Sequence, residues 1–409
     1  MAKSQFGKNS NINLGLRENW QQFGLLVIIN AFVGGMVGLE RSIIPQLAET
    51  EFGLSSKSVI LSFIIAFGIT KAFANYFTGL LANKIGRKNL LIIGWILALP
   101  IPITIIYADA WSWIIVANIL LGVSQGLTWS STVVMKMDLV GEKQRGLAMG
   151  INEFSGYLAV GIVAFLTSYI AEKYGVRPYP FYIGILISIL GLLLSIIWVK
   201  DTKSFVSREA KNSTITNAEN IFVTTTFTDK NLSSVTQAGL VNNLNDGVIW
   251  GLLPILLFQL KLSTPNIGIV TAIYPSVWGI SQLFTGKLSD IYSKKKMLFW
   301  GMFLQGIAII LLVFVQNFYL LALLSASLGI GTALVYPTFL STIAQVTNPN
   351  QRAESIGIFR LWRDLGYAFG AIISGITADI FGLPSAILLI GIITILSAII
   401  IQIRMDKKL

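Results

Sequence analysis

The chain has 409 residues, of which 54% are hydrophobic and only 12% charged, whereas a soluble globular protein carries about 25% charge. It contains no cysteine and no histidine, which excludes disulfides, thiol nucleophiles, zinc ribbons and the commonest metal ligand and catalytic base. The net charge of +11 raises nucleic acid as a partner, and the placement of the charges decides against it.

A membrane-spanning helix needs about 20 mostly apolar residues. Such spans fall, in chain order, near 23–46, 58–82, 90–107, 111–135, 147–171, 180–199, 235–258, 266–286, 297–316, 319–345, 355–378 and 384–403. The first is too long and too late for a signal peptide. Between the sixth and seventh lies a segment rich in Ser, Thr, Asn and Lys. It divides the chain into an N-terminal half (1–199), a linker (200–233) and a C-terminal half (234–409).

Lys and Arg concentrate in cytoplasmic loops of membrane proteins. With the N-terminus placed inside, the outer loops hold only Lys57, Lys173, Arg177 and Lys261. The inner segments hold most of the rest, including Lys3, Lys8, Lys136, Lys143 and Lys408. Both termini and the linker are therefore expected in the cytoplasm, in a multi-pass protein of the cell membrane. The basic balance reports topology, with anionic lipid head groups as a further partner.

The halves repeat. Gly79-Leu80-Leu81-Ala82-Asn83-Lys84-Ile85-Gly86-Arg87-Lys88 follows the second span, and Gly286-Lys287-Leu288-Ser289-Asp290-Ile291-Tyr292-Ser293-Lys294-Lys295 follows the eighth. Gln144-Arg145 leads into the fifth span and Gln351-Arg352 into the eleventh. Internal repeats of this kind mark secondary transporters.

On these motifs the sequence resembles the major facilitator superfamily over nearly its whole length. The resemblance implies an all-α membrane fold of twelve transmembrane helices in two pseudo-symmetric six-helix lobes, rocking about one central solute site. It also implies a monomer. The glycine-rich loop has a physical logic: Gly79 and Gly286 let helices approach closely, and Asp290 places a negative charge where the start of the fifth helix, near Arg145, would favour it. Asn83 lacks that charge, so a weaker latch is expected there. Arg87 belongs to the same loop. The family often has arginine where Asn118 stands, and the Gly-Pro signature of drug–proton antiporters is missing from the fifth helix. Both departures count against an ordinary multidrug antiporter.

Eight ionisable residues fall within spans: Glu40, Arg41, Lys71, Glu153, Asp246, Arg360, Arg363 and Asp364. Such residues are costly in a bilayer and are functional candidates. Lys71 lies about 12 Å above its inner loop and Asp364 about 18 Å above its own, so an interlobe Lys71–Asp364 gate is one reading. The rival is a local Arg360–Asp364 pair at i, i+4. Asn242, Asn245 and Asp246 share a helix face, expected to line the cavity or else to form a helix–helix network. Asp246 and Glu153 are the candidate proton sites. Asn75, Asn118 and Gln125 are further candidates for solute or ion contact. Glu40 and Arg41 read as groups near the outer water interface, with an outer-gate role as the alternative. The aromatics Trp129, Tyr274, Trp278, Tyr336 and Trp362 are candidates for the cavity wall, with ordinary packing as the alternative for each.

The reading is a secondary active transporter of a small solute, with a mild preference for anions or zwitterions because of Lys71, Arg360 and Arg363. Protons are the expected coupling ion. The alternatives are export of toxic amphiphiles, drugs or metal-related compounds, or uniport. No cofactor, metal or enzymatic activity is expected, since no phosphate cradle or metal-ligand cluster is present.

Overall fold

The computed structural model describes residues 13–407 apart from 42, 45, 46, 49, 50, 55, 56, 142, 143, 212, 213 and 263. Lys3, Lys8, Lys143 and Lys408 lie outside the described residues, as does the side chain of Arg41.

The first bundle holds α1 (Trp20–Arg41), α2 (Lys57–Ile85), α3 (Arg87–Ala98, continued by Pro100–Ile106), α4 (Trp111–Val140), α5 (Arg145–Tyr174) and α6 (Tyr182–Ile197). The second holds α7 (Lys230–Gly251, continued by Leu253–Gln259), α8 (Thr264–Ile291), α9 (Lys294–Leu312), α10 (Phe318–Val346), α11 (Arg352–Phe381) and α12 (Leu383–Arg404). Within each bundle the same pairs pack: α1 on α5, α2 on α4 and α3 on α6, matched by α7 on α11, α8 on α10 and α9 on α12. The bundles meet along α2–α11 and α5–α8. The linker folds into a helix, Lys203–Lys211, and α7 begins at Lys230. That is a few residues earlier than the hydropathy alone suggested, because Asp229 caps it, accepting from Asn231 N and Leu232 N.

Among the described residues, ten helices are long and apolar enough to cross a membrane. The other two are α7 and α8. In α7 the run Asn242, Asn243, Asn245 and Asp246 lowers the hydropathy, and all four are buried within the protein, which is where a polar run at membrane depth is tolerated.

The linker, the linker-proximal ends of α1 and α12 and the repeated loops share one face, called here the linker face. Helices close tightly there. A methyl group at Gly150 would sit 2.4 Å from the Gln282 carbonyl oxygen, and one at Gly79 2.7 Å from that of Ala353. Toward the far face the helices part: a Cβ on Gly161 of α5 meets nothing within 4 Å. The lobes thus form a V, shut at the linker face.

Lys136 departs from the topology count. It belongs to α4 rather than to a loop, is fully buried, and donates to the Leu26 carbonyl at 3.1 Å. The count treated it as a loop residue because the hydrophobic run stops just before it, but the helix continues to Val140.

Candidate functional site

The mouth of the V is a cavity of about 770 Å³, within the range of small-molecule sites. Lys71 of α2 and Asp246 of α7 line it from opposite lobes. The wall is apolar, with aromatic rings that include Trp129, Tyr157, Trp278 and Tyr367. The Lys71 ammonium lies 5.2 Å from the Phe67 ring centre and 5.5 Å from that of Trp129, a cation–π setting. Asp246 accepts a hydrogen bond from Tyr274 Oη at 2.6 Å. Tyr157 packs against Trp278 with ring centres 3.9 Å apart and planes tilted by 41°, and its hydroxyl lies 3.4 Å from that of Tyr336. This aromatic group joins the lobes at the cavity floor.

Beneath the floor lies a polar layer that crosses between lobes. Asp364 accepts from Arg363 Nε at 2.7 Å, from Asn243 at 3.3 Å and from Asn75. Arg363 also donates to Tyr336 Oη at 2.7 Å. Arg360 donates to Ser130 Oγ at 3.0 Å, and Ser130 in turn donates to Asn75. Glu153 accepts from Asn152 at 2.7 Å and from Trp129 Nε1 at 3.3 Å. Asn75, Ser130 and Glu153 come from one lobe; Asn243, Arg360, Arg363 and Asp364 come from the other.

Several expectations change. Asp364 is held by Arg363 rather than by Lys71 or Arg360. Adjacent helical residues do not normally face each other, but the long Arg363 side chain folds back to its neighbour. The α7 face divides as well. Asp246 reaches the cavity, whereas Asn245 turns into its own lobe, donating to Gln305 at 3.1 Å and accepting from Thr394 at 2.6 Å. Asn242 bonds to Asn243 at 3.4 Å beneath the cavity. Asn118 donates to the Ile114 carbonyl of its own helix and Gln125 to the Val33 carbonyl of α1; neither lines the cavity. Glu40 is buried, 1% exposed, rather than at a water interface. Trp362 donates to Thr226 at 3.2 Å, away from the cavity wall.

The linker face carries the contacts that hold the V shut. Asp290 accepts from the backbone amides of Gly146 and Leu147 at 2.7 and 2.9 Å. These are orphan amides at the start of α5, where a negative charge is favoured. Asn83, its counterpart, donates to the Asn350 carbonyl at 2.5 Å and accepts from Arg87 at 2.9 Å. Arg87 is buried, with Nε 3.3 Å from Asp138. Gly79 lies against Gly357, and Gly286 against Gly150.

Three residues here had no place in the sequence reading. Glu209, on the linker helix, takes a two-pronged contact from Arg352 at 2.6 and 3.0 Å and a further one from Arg145. Burial pushes its carboxyl upward, and the two arginines more than reverse this, so it titrates below the usual glutamate range. Asp138 meets Arg87, Arg352 at 3.8 Å and Thr202 at 2.7 Å. Tyr157 was likewise overlooked. The available signal for Glu209 was an acid set among Lys203, Arg208 and Lys211, with two repeat-related arginines elsewhere in need of a counter-charge.

The sequence profile of the Major Facilitator Superfamily matches residues 25–232 and 235–407. The chain belongs to that superfamily. Among its relatives is the proton-coupled antiporter flippase LtaA of Staphylococcus epidermidis, 25% identical over 381 residues, 90% of this chain and 89% of that protein. The multidrug resistance protein MdtG of Proteus mirabilis is 24% identical over 382 residues, 91% of this chain and 93% of the relative. An uncharacterized MFS-type transporter of Methanocaldococcus jannaschii is 28% identical over 178 residues; that match spans 46% of its length and 44% of this chain. In fold, the human organic anion transporter MFSD10 superposes with a TM-score of 0.75 at 15% identity, covering 93% of this chain and 99% of that one. The two-lobed, twelve-helix membrane fold is that of a superfamily transporter.

Proposed function

We propose that the chain is a secondary active transporter that carries an amphipathic organic solute by alternating access, with protons as the coupling ion. The observation that carries this reading is the cavity itself: closed toward the linker face, open toward the far face, aromatic-walled, with Lys71 and Asp246 on opposite lobes. The Lys and Arg distribution supports a cytoplasmic linker face, and with it an outward-facing reading of the open cavity.

The coupling step follows from Asp246. The carboxylate accepts from Tyr274 and lines the cavity that opens toward the far face. Asp246 is already buried, and loss of the remaining cavity water on closure raises the cost of holding a charge there; a proton or a counter-charge removes that cost. Closure is therefore favoured either with a proton on Asp246 or with a solute that supplies a counter-charge, and exchange of one for the other follows. The ligand shifts the lobe equilibrium only by its differential affinity for the two states. No bond is made or broken.

Within the two solute readings, the aromatic and aliphatic wall supports an amphiphile. The relatives named as a flippase and a multidrug resistance protein point the same way. Lys71 supports the second reading, a small soluble anion. Protein in liposomes with an internal pH dye separates them, using dodecyl phosphate, dodecyltrimethylammonium and their chain-free analogues. A pH signal driven by a chain-bearing solute and lost in Asp246→Asn is the expected result. Labelled-solute flux without any pH signal would remove protons as the coupling ion.

A further inference from the structure

Glu153 and Arg360 occupy matching places in the repeat, eight residues beyond Arg145 and Arg352. They come from opposite lobes with opposite charge, and both are fully buried. Neither is fully satisfied. Arg360 donates from Nη1 to Ser130 Oγ, but its Nε and Nη2 have no hydrogen-bond partner. Those two atoms form one edge of the guanidinium, the fork that grips two oxygens of a carboxylate or phosphate. Buried polar groups are nearly always hydrogen-bonded, so an empty fork needs a reason.

The nearby acids do not fill it. The Asp364 oxygens are taken by Arg363, Asn243 and Asn75. Glu153 is held through Oε1 by Asn152 and Trp129, and it acts on Arg360 only through space. Lys136 feels both Glu153 and Arg360, and donates to the Leu26 carbonyl. Among the described residues of this layer, three cations (Lys136, Arg360 and Arg363) thus face two carboxylates (Glu153 and Asp364). Ser130 and Glu153 lie across the seam from Arg360. Gly357, which packs on Gly79, lies one turn below it on α11, about 4.5 Å along the axis. When the linker face parts, that glycine contact breaks, Ser130 and Glu153 draw away with their lobe, and Arg360 faces the linker side with its donors unmet.

We infer that Arg360 is an oxyanion subsite, reached only from the linker face, that takes a phosphate or a carboxylate on its Nε–Nη2 edge. This rests on the alternating-access reading above and gives the two sides different recognition. From the far side a solute meets Lys71 and Asp246; from the linker side an anion meets Arg360. The anion is either the head of the carried solute or a small anion of the surrounding water. In the closed arrangement the fork is buried and takes no ligand. An oxyanion therefore binds the linker-open state better and shifts the lobes toward it by that difference in affinity.

The test reads Arg360 in place, in the full chain in phosphatidylcholine nanodiscs. Phenylglyoxal modifies accessible arginines, and mass spectrometry maps the adducts. The parent and Asp290→Asn, whose linker-face latch loses its charge, are labelled at equal ionic strength in chloride, inorganic phosphate or acetate, and in chloride with dodecyl phosphate. The inference predicts that Arg360 is labelled faster in Asp290→Asn than in the parent. It also predicts that an oxyanion slows this at least fivefold while labelling of exposed Arg208 stays constant. Protection by phosphate or acetate marks a small anion as the ligand; protection by dodecyl phosphate alone marks the head of the solute. The same oxyanion should widen the distance between spin labels at Asn89 and Lys296, and Arg360→Lys, which keeps the charge and loses the fork, should abolish that widening. Widening that persists in Arg360→Lys would overturn the inference. Equal labelling in chloride and in every oxyanion would overturn it and leave the transport reading standing, as would an Arg360 that stays unlabelled while the Asn89–Lys296 distance widens. Labelling needs no turnover, so a failure of proton coupling in the pH-dye assay leaves this test intact.

Discussion

The two copies of the repeated loop make the same turn and perform different work. In the second copy Asp290 places a full charge on two free amides at the start of α5. In the first, Asn83 spends its amide on a carbonyl before α11 and its oxygen on Arg87. The same backbone scaffold thus supports one charge-assisted latch and one neutral contact. The α11 side has other support: Arg352 at its start is held by Glu209 from the linker and lies near Asp138 from the opposite lobe. A lost charge in the loop is replaced by a carboxylate from a different segment, which teaches that closure of this face depends on total charge pairing rather than on one motif.

Arg352→Ala should break this comparison most severely. It leaves Asp138 with Arg87 and Glu209 with Arg145 and removes a charged contact from each, worth about 1.5–3 kcal/mol apiece. The expected outcome is a lower thermal midpoint and linker-face distances that widen in spin-label measurements. Asp290→Asn comes next. It leaves the shape and removes a charge worth about 1.5–3 kcal/mol in its hydrogen bonds, so the closed population should fall by roughly tenfold or more on the same readout. An unchanged distance distribution would show that Asp290 only shapes the turn.

Acid should loosen the Glu209 strap by less. Its carboxyl titrates below the normal value, so its stabilisation is complete above the unfolded value of about 4.3 and is lost as pH falls through the lowered native one. Widening of the linker face on acidification should therefore be present in the parent and smaller in Glu209→Gln. Asn83→Asp should have the smallest effect, within about 1 kcal/mol. The new charge gains Arg87 but loses the donor to the Asn350 carbonyl. A large stabilisation would mean that the two loops differ only in this one atom and that position plays no part.

The helices and the repeat were legible because bilayer thickness and loop charge act on local runs of sequence. The Asp290 position was legible for the same reason, since a helix start announces its own field. The partner of Asp364 was not. Depth along a helix axis cannot reveal that Arg363 bends back to its neighbour, or that Asn243 and Asn75 reach the same carboxylate from two lobes. The two readings of the α7 face both apply, because a shared helix face still spans about 100°, wide enough for Asp246 to meet the cavity while Asn245 joins a helix–helix network with Gln305. Lys136 was misread because hydropathy marks where apolar residues stop, whereas the helix ends only at Val140. Glu209 lies in a polar linker with no periodicity to point at it.

Alternating access itself is tested most directly by paired distances in the transporting protein. The chain has no native cysteine, so nitroxide pairs can be placed without background at Asn89 and Lys296 on the linker face and at Tyr107 and Tyr319 on the far face. Electron–electron distances in liposomes, at two pH values with and without dodecyltrimethylammonium, should move in opposite senses: the far pair shortens as the linker pair lengthens. Two distributions that stay fixed, or that lengthen together, would contradict the account.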